Sequence, residues 1–162
     1  MRYIMALFFA CCFFSSEGQS LATLENQLYS KLNAHHGMGL FASKRNGEPV
    51  FIYNSYAWFS MTLNEKTLEI AYTQVTLENG KKEEKSYKHK IRYADIKSFE
   101  YRDCTDIGRP GDDEEVAQSP RLYINYTIEG KPDNVRVGFH LKGDTKVVEE
   151  LNKILKEIQK RI

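Results

Sequence analysis

The chain has 162 residues, enough for one domain built on a single hydrophobic core. Hydrophobic residues make up 41% and charged residues 28%, a globular balance, and an aromatic content of 12% favours strands. With 23 basic and 22 acidic residues the net charge is +1, so no long-range field draws the protein to nucleic acid or an anionic membrane, and nucleic acid is excluded as a partner.

The first residues differ in kind from the rest. Arg2 is followed by an unbroken apolar run at residues 4–14 (IMALFFACCFF), then by the small and polar residues 15–20 (SSEGQS). Charge, apolar stretch and small residues in this order predict a signal peptide over residues 1–18. The run is too short to span a bilayer, which takes about 20 apolar residues, so no integral membrane segment is expected after cleavage. Ser16 and Gly18 suit a cut before Gln19, with cuts before Leu21 or Thr23 as alternatives. A lipoprotein cysteine at Cys11 fits less well, because Phe13 and Phe14 would open the mature chain. Cleavage removes Cys11 and Cys12 and leaves Cys104 without an internal disulfide partner, so the fold must rest on its core. The expected location is the periplasm or the extracellular space.

Residues 20–35 place Leu21, Leu24, Leu28 and Leu32 on one helical stripe, with Ser20 as N-cap. Residues 37–48 are rich in Gly and polar side chains and read as a connection, so residues 19–48 form an N-terminal helix and its link. From Pro49 the apolar period becomes two. Strands are expected over residues 50–53, 57–63 and 67–77, the last with Leu68, Ile70 and Tyr72 on one face. Asn79-Gly80 is a type I′ hairpin signal. The returning strand puts Tyr87, His89, Ile91 and Tyr93 on one face and Lys88, Lys90 and Arg92 on the other. A corner at Tyr93-Ala94-Asp95-Ile96, with Asp95 as its cap, leads to a strand over residues 97–102. Residues 103–119 hold six acidic residues, two glycines and a proline, and predict a long exposed loop. Strands follow at residues 120–128 and 135–141, separated by a turn over residues 129–134. The last element, residues 144–162, is an amphipathic helix with Val147, Val148, Leu151, Ile154, Leu155, Ile158 and Ile162 on its apolar side and Asp144 as its cap.

No chemistry-bearing constellation emerges. The basic alternation Lys88, Lys90, Arg92 reads as the solvated face of a strand. Asp103, Asp106, Asp112, Asp113, Glu114 and Glu115 lack the alternating spacing of a calcium loop. His35, His36, His89 and His140 show no zinc spacing. No serine sits in a G-x-S-x-G elbow, and Cys104 has no evident base. Asn125-Tyr126-Thr127 matches a glycosylation sequon but falls inside an expected strand. No catalytic, metal or cofactor residue is assigned.

Six or seven antiparallel strands followed by one amphipathic helix is the order of a pleckstrin-homology-like domain. Residues 61–70 (MTLNEKTLEI) and 91–101 (IRYADIKSFEY), followed by a late strand and a helix of the form EEL…IL, resemble the bacterial members of that superfamily. The resemblance covers residues 50–162, and the first helix lies outside it. It implies an α+β, mostly β fold: an antiparallel sandwich or partly open barrel of six to seven strands, capped by a C-terminal helix, with an extra N-terminal helix. It also implies binding or self-assembly, since members of the superfamily are rarely enzymes, while fold alone does not deliver function.

Three functions follow as expectations. The first is a non-enzymatic module that engages a protein or peptide partner, or itself, through a sheet edge or helix groove. The second is a lipocalin-like carrier of a small apolar ligand lined by Trp58, Phe59 and Tyr72. The third is a hydrolase, which requires perturbed carboxylates or histidines gathered in a cleft.

Overall fold

The computed structural model describes residues 19–45, 48–54, 58–62, 66–103, 115–118 and 120–162, with side chains described outside residues 40–65 and 104–119. The expected signal peptide and Cys104 lie outside the described residues. The element order is α1 (Leu21–His35), β1 (His36–Gly37), β2 (Gly39–Arg45), β3 (Glu48–Asn54), β4 (Trp58–Thr62), β5 (Thr67–Glu78), β6 (Lys81–Arg92), a 3₁₀ turn (Tyr93–Asp95), β7 (Ile96–Arg102), β8 (Glu115–Gln118), β9 (Arg121–Ile128), β10 (Lys131–Phe139) and α2 (Val147–Gln159). The protein is mostly β, with antiparallel sheet curled into a half-barrel and a C-terminal helix.

Two sheets share the strands. One runs β1-β10-β9-β7; the other runs β4-β5-β3-β2-β8, with β6 also on β5. Strand β5 organises the second sheet. One side of it pairs with β4 along Thr67 to Ala71 and with β3 along Gln74 to Glu78, and the other side pairs with β6 over its whole length. The hairpin that sets this register is the expected one. Asn79 and Gly80 both have positive φ, 50° and 71°, the requirement of a type I′ turn.

Of the chain's passages between the sheets, two have all their residues described. One is the corner, where Tyr93–Asp95 makes a single 3₁₀ turn and Ile96 donates its N–H to the Tyr93 carbonyl. Asp95 does not cap this turn. Its carboxylate instead accepts from the Arg92 guanidinium, at 2.6 Å from Nε and 3.0 Å from a terminal nitrogen. A bidentate guanidinium outcompetes a weak turn N–H for a carboxylate. The other passage is Gly37-Met38-Gly39, where β1 in the first sheet runs into β2 in the second. Here the backbone crosses directly over Gly138 of β10: a Cβ on Gly138 would stand 2.4 Å from the Met38 carbonyl carbon and 2.5 Å from the Gly37 oxygen. Only a glycine permits that approach.

This crossing corrects the reading of residues 37–48 as a connection, since they hold the end of β1, all of β2 and the start of β3. The glycines that read as loop residues permit close packing instead. The expected loop over residues 103–119 is corrected in part: β8 lies within it and pairs with β2, placing Gln118 opposite Phe41. A four-residue strand held by main-chain pairing leaves little periodic trace. The turn after β9 is also tighter than expected. Glu129 and Gly130 form it alone, at φ 50° and 78°, so Lys131 to Asn134 belong to β10. Pro132 is tolerated there because it sits opposite Thr127, one step from the turn-flanking pair Ile128 and Lys131. Its missing N–H therefore points away from β9, to an edge that β1 reaches only at Gly138 and Phe139.

Both helices pack on the sheets and on each other. From α1, Leu24, Leu28 and Leu32 are buried; from α2, Val147, Leu151, Ile154, Leu155 and Ile158. They meet Leu68, Ile70, Ile91, Ile96, Phe99, Leu122, Ile124, Val135, Val137 and Phe139 in one core. Full burial of such side chains contributes roughly 1.5–3 kcal/mol each. Ser20 caps α1 by accepting from the Thr23 N–H at 3.2 Å. Asp144 accepts from the Lys146 N–H at 3.1 Å, which starts α2 two residues beyond its expected cap.

One buried acid joins α1 to the corner. Glu25 is only 5% exposed, and the Tyr93 hydroxyl donates to its carboxylate. Burial pushes the Glu25 carboxyl above its ordinary value, partly offset by that hydrogen bond. An acid with a raised folded pKa holds its proton better in the fold, so its contribution to stability falls as pH rises from the unfolded value through the folded one. Glu25→Gln keeps an acceptor for Tyr93 and removes this titration. In urea unfolding between pH 4 and 7, the variant is expected to gain on the wild type as pH rises. Parallel curves over that range would sink this account.

Candidate binding cleft

β6 has alternating burial at its end: Lys88, Lys90 and Arg92 are exposed, His89 is half-buried and Ile91 is buried. The basic residues thus occupy the outer face, as their spacing predicts. Lys88 lies 2.9 Å and Lys90 3.8 Å from Glu69 of the adjacent strand, and Arg92 holds Asp95. The inner face carries an aromatic stack. Tyr72 and Tyr87 stack at 5.2 Å and 19°, and Tyr72 and His89 at 5.8 Å and 15°. They occupy the far end of the same face that buries Leu68, Ile70 and Ile91.

Beside this strand the two sheets separate and leave a cleft of about 490 Å³. Residues 88–92 of β6 and Asp95 line one wall; Tyr126, Thr127, Ile128 and Glu129 of β9 and its turn line the other. A volume of this size lies in the range of ligand-binding pockets. The Tyr126 hydroxyl donates to Asp133 at 3.0 Å, and burial together with that carboxylate pushes its pKa up to about 12. Burial lowers the His89 pKa, against the opposing pull of Asp133. Its buried Nε2 has no hydrogen-bond partner among the described residues. Ile128, 52% exposed, adds an apolar surface to the mouth.

The main chain of β6 gives this cleft a directional edge. A two-residue turn makes Glu78 and Lys81 the first hydrogen-bonded pair, and pairs of that kind recur at every second residue. Tyr93 donating to the Lys66 carbonyl at 3.0 Å continues the same alternation. Lys88 and Arg92 therefore aim their N–H and C=O groups away from β5, and no strand among the described residues pairs with that outer side.

The edge of β7 is treated differently. Asn152 of α2 lies against it and binds Phe99 twice: Oδ1 accepts from the Phe99 N–H at 2.9 Å, and Nδ2 donates to the Phe99 carbonyl at 2.9 Å. One helical turn pair further on, Gln159 Nε2 donates to the carbonyls of Tyr93 and Ile96, both at 2.8 Å. Two side-chain amides, seven residues apart on one helix face, thus act as a partner for strand and corner.

The remaining sequence candidates are dispersed. His35 bonds the His140 carbonyl at 2.9 Å, His36 pairs in β1, and His89 is in the cleft. Among the described residues no three His, Cys, Asp or Glu side chains come together to hold a metal. Asn125 of the sequon is inside β9, with its amide donating to Ser98 at 3.1 Å. The side chains of Trp58 and Phe59, and the acidic residues 104–115, lie outside those described; of the three expected lining residues, Tyr72 is placed, in the aromatic stack. Sequence reading missed the amide pair and the Tyr126–Asp133 bond. The signal for the first was present, as two amides seven residues apart on the flank of an apolar stripe.

No family model, curated protein or solved structure matches the chain.

Proposed function

We propose that the protein is an exported, non-catalytic binding module of pleckstrin-homology-like build that takes an extended segment of a partner protein onto the outer edge of β6. The observation that supports it is the contrast between two edges. At β7 the main chain is answered by Asn152, whereas at β6 it faces a 490 Å³ cleft with no pairing strand among the described residues. Strand addition supplies affinity through main-chain hydrogen bonds, and an adjoining cleft selects alternate side chains. Export is supported by the apolar run at residues 4–14 and the small residues after it. Among the described residues no helix is long and apolar enough to cross a membrane. The charged run Lys81-Lys82-Glu83-Glu84-Lys85 guards the other half of β6 against indiscriminate pairing.

Lys88→Pro tests this reading. Proline removes an outward N–H without touching the ladder to β5. Heptapeptides selected from a random library on the wild-type protein are expected to lose binding to Lys88→Pro and keep it with Lys88→Ala, while both variants unfold cooperatively. Selected peptides that bind Lys88→Pro as well as wild type would remove the edge from consideration. A small apolar ligand in the same cleft is the competing reading, favoured by the Tyr72–Tyr87–His89 stack; displacement of a hydrophobic dye by fatty acids, with no peptide effect, would select it.

A further inference from the structure

We infer that the segment taken up by the β6 edge alternates acidic with large apolar side chains. The inference rests on the edge reading and adds the chemistry of the occupant. Residues directly opposed across two strands share a face of the sheet. An incoming residue opposite Lys88 or Arg92 therefore projects onto the outer face, and its neighbours in sequence project inward, over the cleft.

The two faces make different demands. On the outer face the Lys88 and Arg92 side chains are 67% and 73% exposed, while their carboxylate partners Glu69 and Asp95 are 13% and 26% exposed. In each pair the cation is the more exposed partner, so the layer that meets an incoming strand is mainly positive. Glu129, on the far wall, sets the opposite preference only at the turn end of the cleft. On the inner side Ile91, Tyr126 and Ile128 line the cleft, and Ile128 is the exposed apolar side chain among them. An acid pointed inward would be desolvated beside Ile128, away from the exposed Lys88 and Arg92 side chains, and an apolar side chain pointed outward would gain nothing. The pattern acidic, apolar, acidic, apolar satisfies both sides.

Three fluorescein-labelled heptapeptides test this on the full chain by fluorescence anisotropy: alternating Glu and Val, alternating Lys and Val, and alternating Glu and Ser. Two exposed cross-strand ion pairs predict that the Glu–Val peptide binds about fivefold more tightly than the Lys–Val peptide at low salt, with the gap closing at 1 M salt. Loss of the inward apolar groups predicts about tenfold weaker binding of the Glu–Ser peptide. Ile128→Glu is expected to erase the advantage of Val over Ser while leaving folding intact, because Ile128 is exposed. If the Lys–Val or Glu–Ser peptide binds as tightly as Glu–Val and Lys88→Pro still abolishes binding, the inference fails and the edge reading stands. Glu–Val binding that survives Lys88→Pro overturns the edge reading and the inference with it. Absence of binding by all three peptides also overturns both.

Discussion

Asn152→Leu is expected to lower the unfolding free energy by about 3 kcal/mol and to make the protein associate as its concentration rises. Leucine matches asparagine in size but can neither accept from the Phe99 N–H nor donate to the Phe99 carbonyl. Each main-chain group left without its bond in a partly buried setting costs about 1–3 kcal/mol. The Val148 carbonyl, which Asn152 also serves, already has its place in the helix ladder, so it adds little. The second effect follows from the first. A strand edge with unanswered N–H and C=O groups is a template for another chain. Urea titration measures the stability loss, and light scattering from low to high micromolar protein measures association. A midpoint equal to that of wild type would show that the amide is incidental to the β7 edge. Asn152→Asp separates the two halves of the interaction, since an aspartate accepts from Phe99 and cannot donate.

Leu28→Ala is expected to cost about 3 to 4 kcal/mol, within the range for deleting a fully buried leucine side chain. Leu28 has no exposed surface and stands between Leu24 and Leu32 on the face of α1 turned toward α2 and the core. The helix is further tied by the ion pair of Lys31 with Glu150, by Lys142 donating to the Ala34 carbonyl at 2.9 Å, and by the Glu25–Tyr93 bond. The resemblance to a minimal strand-and-helix domain leaves α1 outside, whereas these contacts make it part of the core. Tyr29→Ala, on the exposed side of the same helix, serves as the control and is expected to change stability by less than about 0.5 kcal/mol. Equal effects of the two substitutions would place α1 outside the cooperative unit.

What could be read from the sequence tracks how strongly each element is patterned. β5, β6 and β9 alternate, and α2 repeats at three and four, so their existence and faces were legible. The same holds for the Asn79-Gly80 turn, where two positive φ angles demand particular residues. β1, β2 and β8 were not legible because they are specified from outside. Gly37 and Gly39 are used for the crossing over Gly138, and β8 is four residues long and held through its main chain. At the corner, position was legible and partnership was not: Asp95 reads as a turn cap until the three-residue spacing to Arg92 is placed in space. In β7 a bulge between Ile96 and Ser98 shifts the alternation, so that Ile96 and Phe99 are both buried although three residues apart. The candidate cleft was the least legible feature. Its walls come from residues 88–92 with Asp95 and from residues 126–129, and nothing local in either stretch records that the other stands opposite.

The crossing of β1 over β10 also governs when the fold can close. His36 pairs with Phe139 and Gly37 with Gly138, so the first strand finds its neighbour only near the end of the chain. The leucines of α1 wait in the same way for Val147, Leu151 and Ile154 of α2. Contacts of such sequence separation slow folding, because native pairings must first overcome the entropy of closing long loops. During synthesis the leucine face of α1 therefore stays without α2 until residues 147–159 emerge. The emerging polypeptide is thus kept from closing by its own topology.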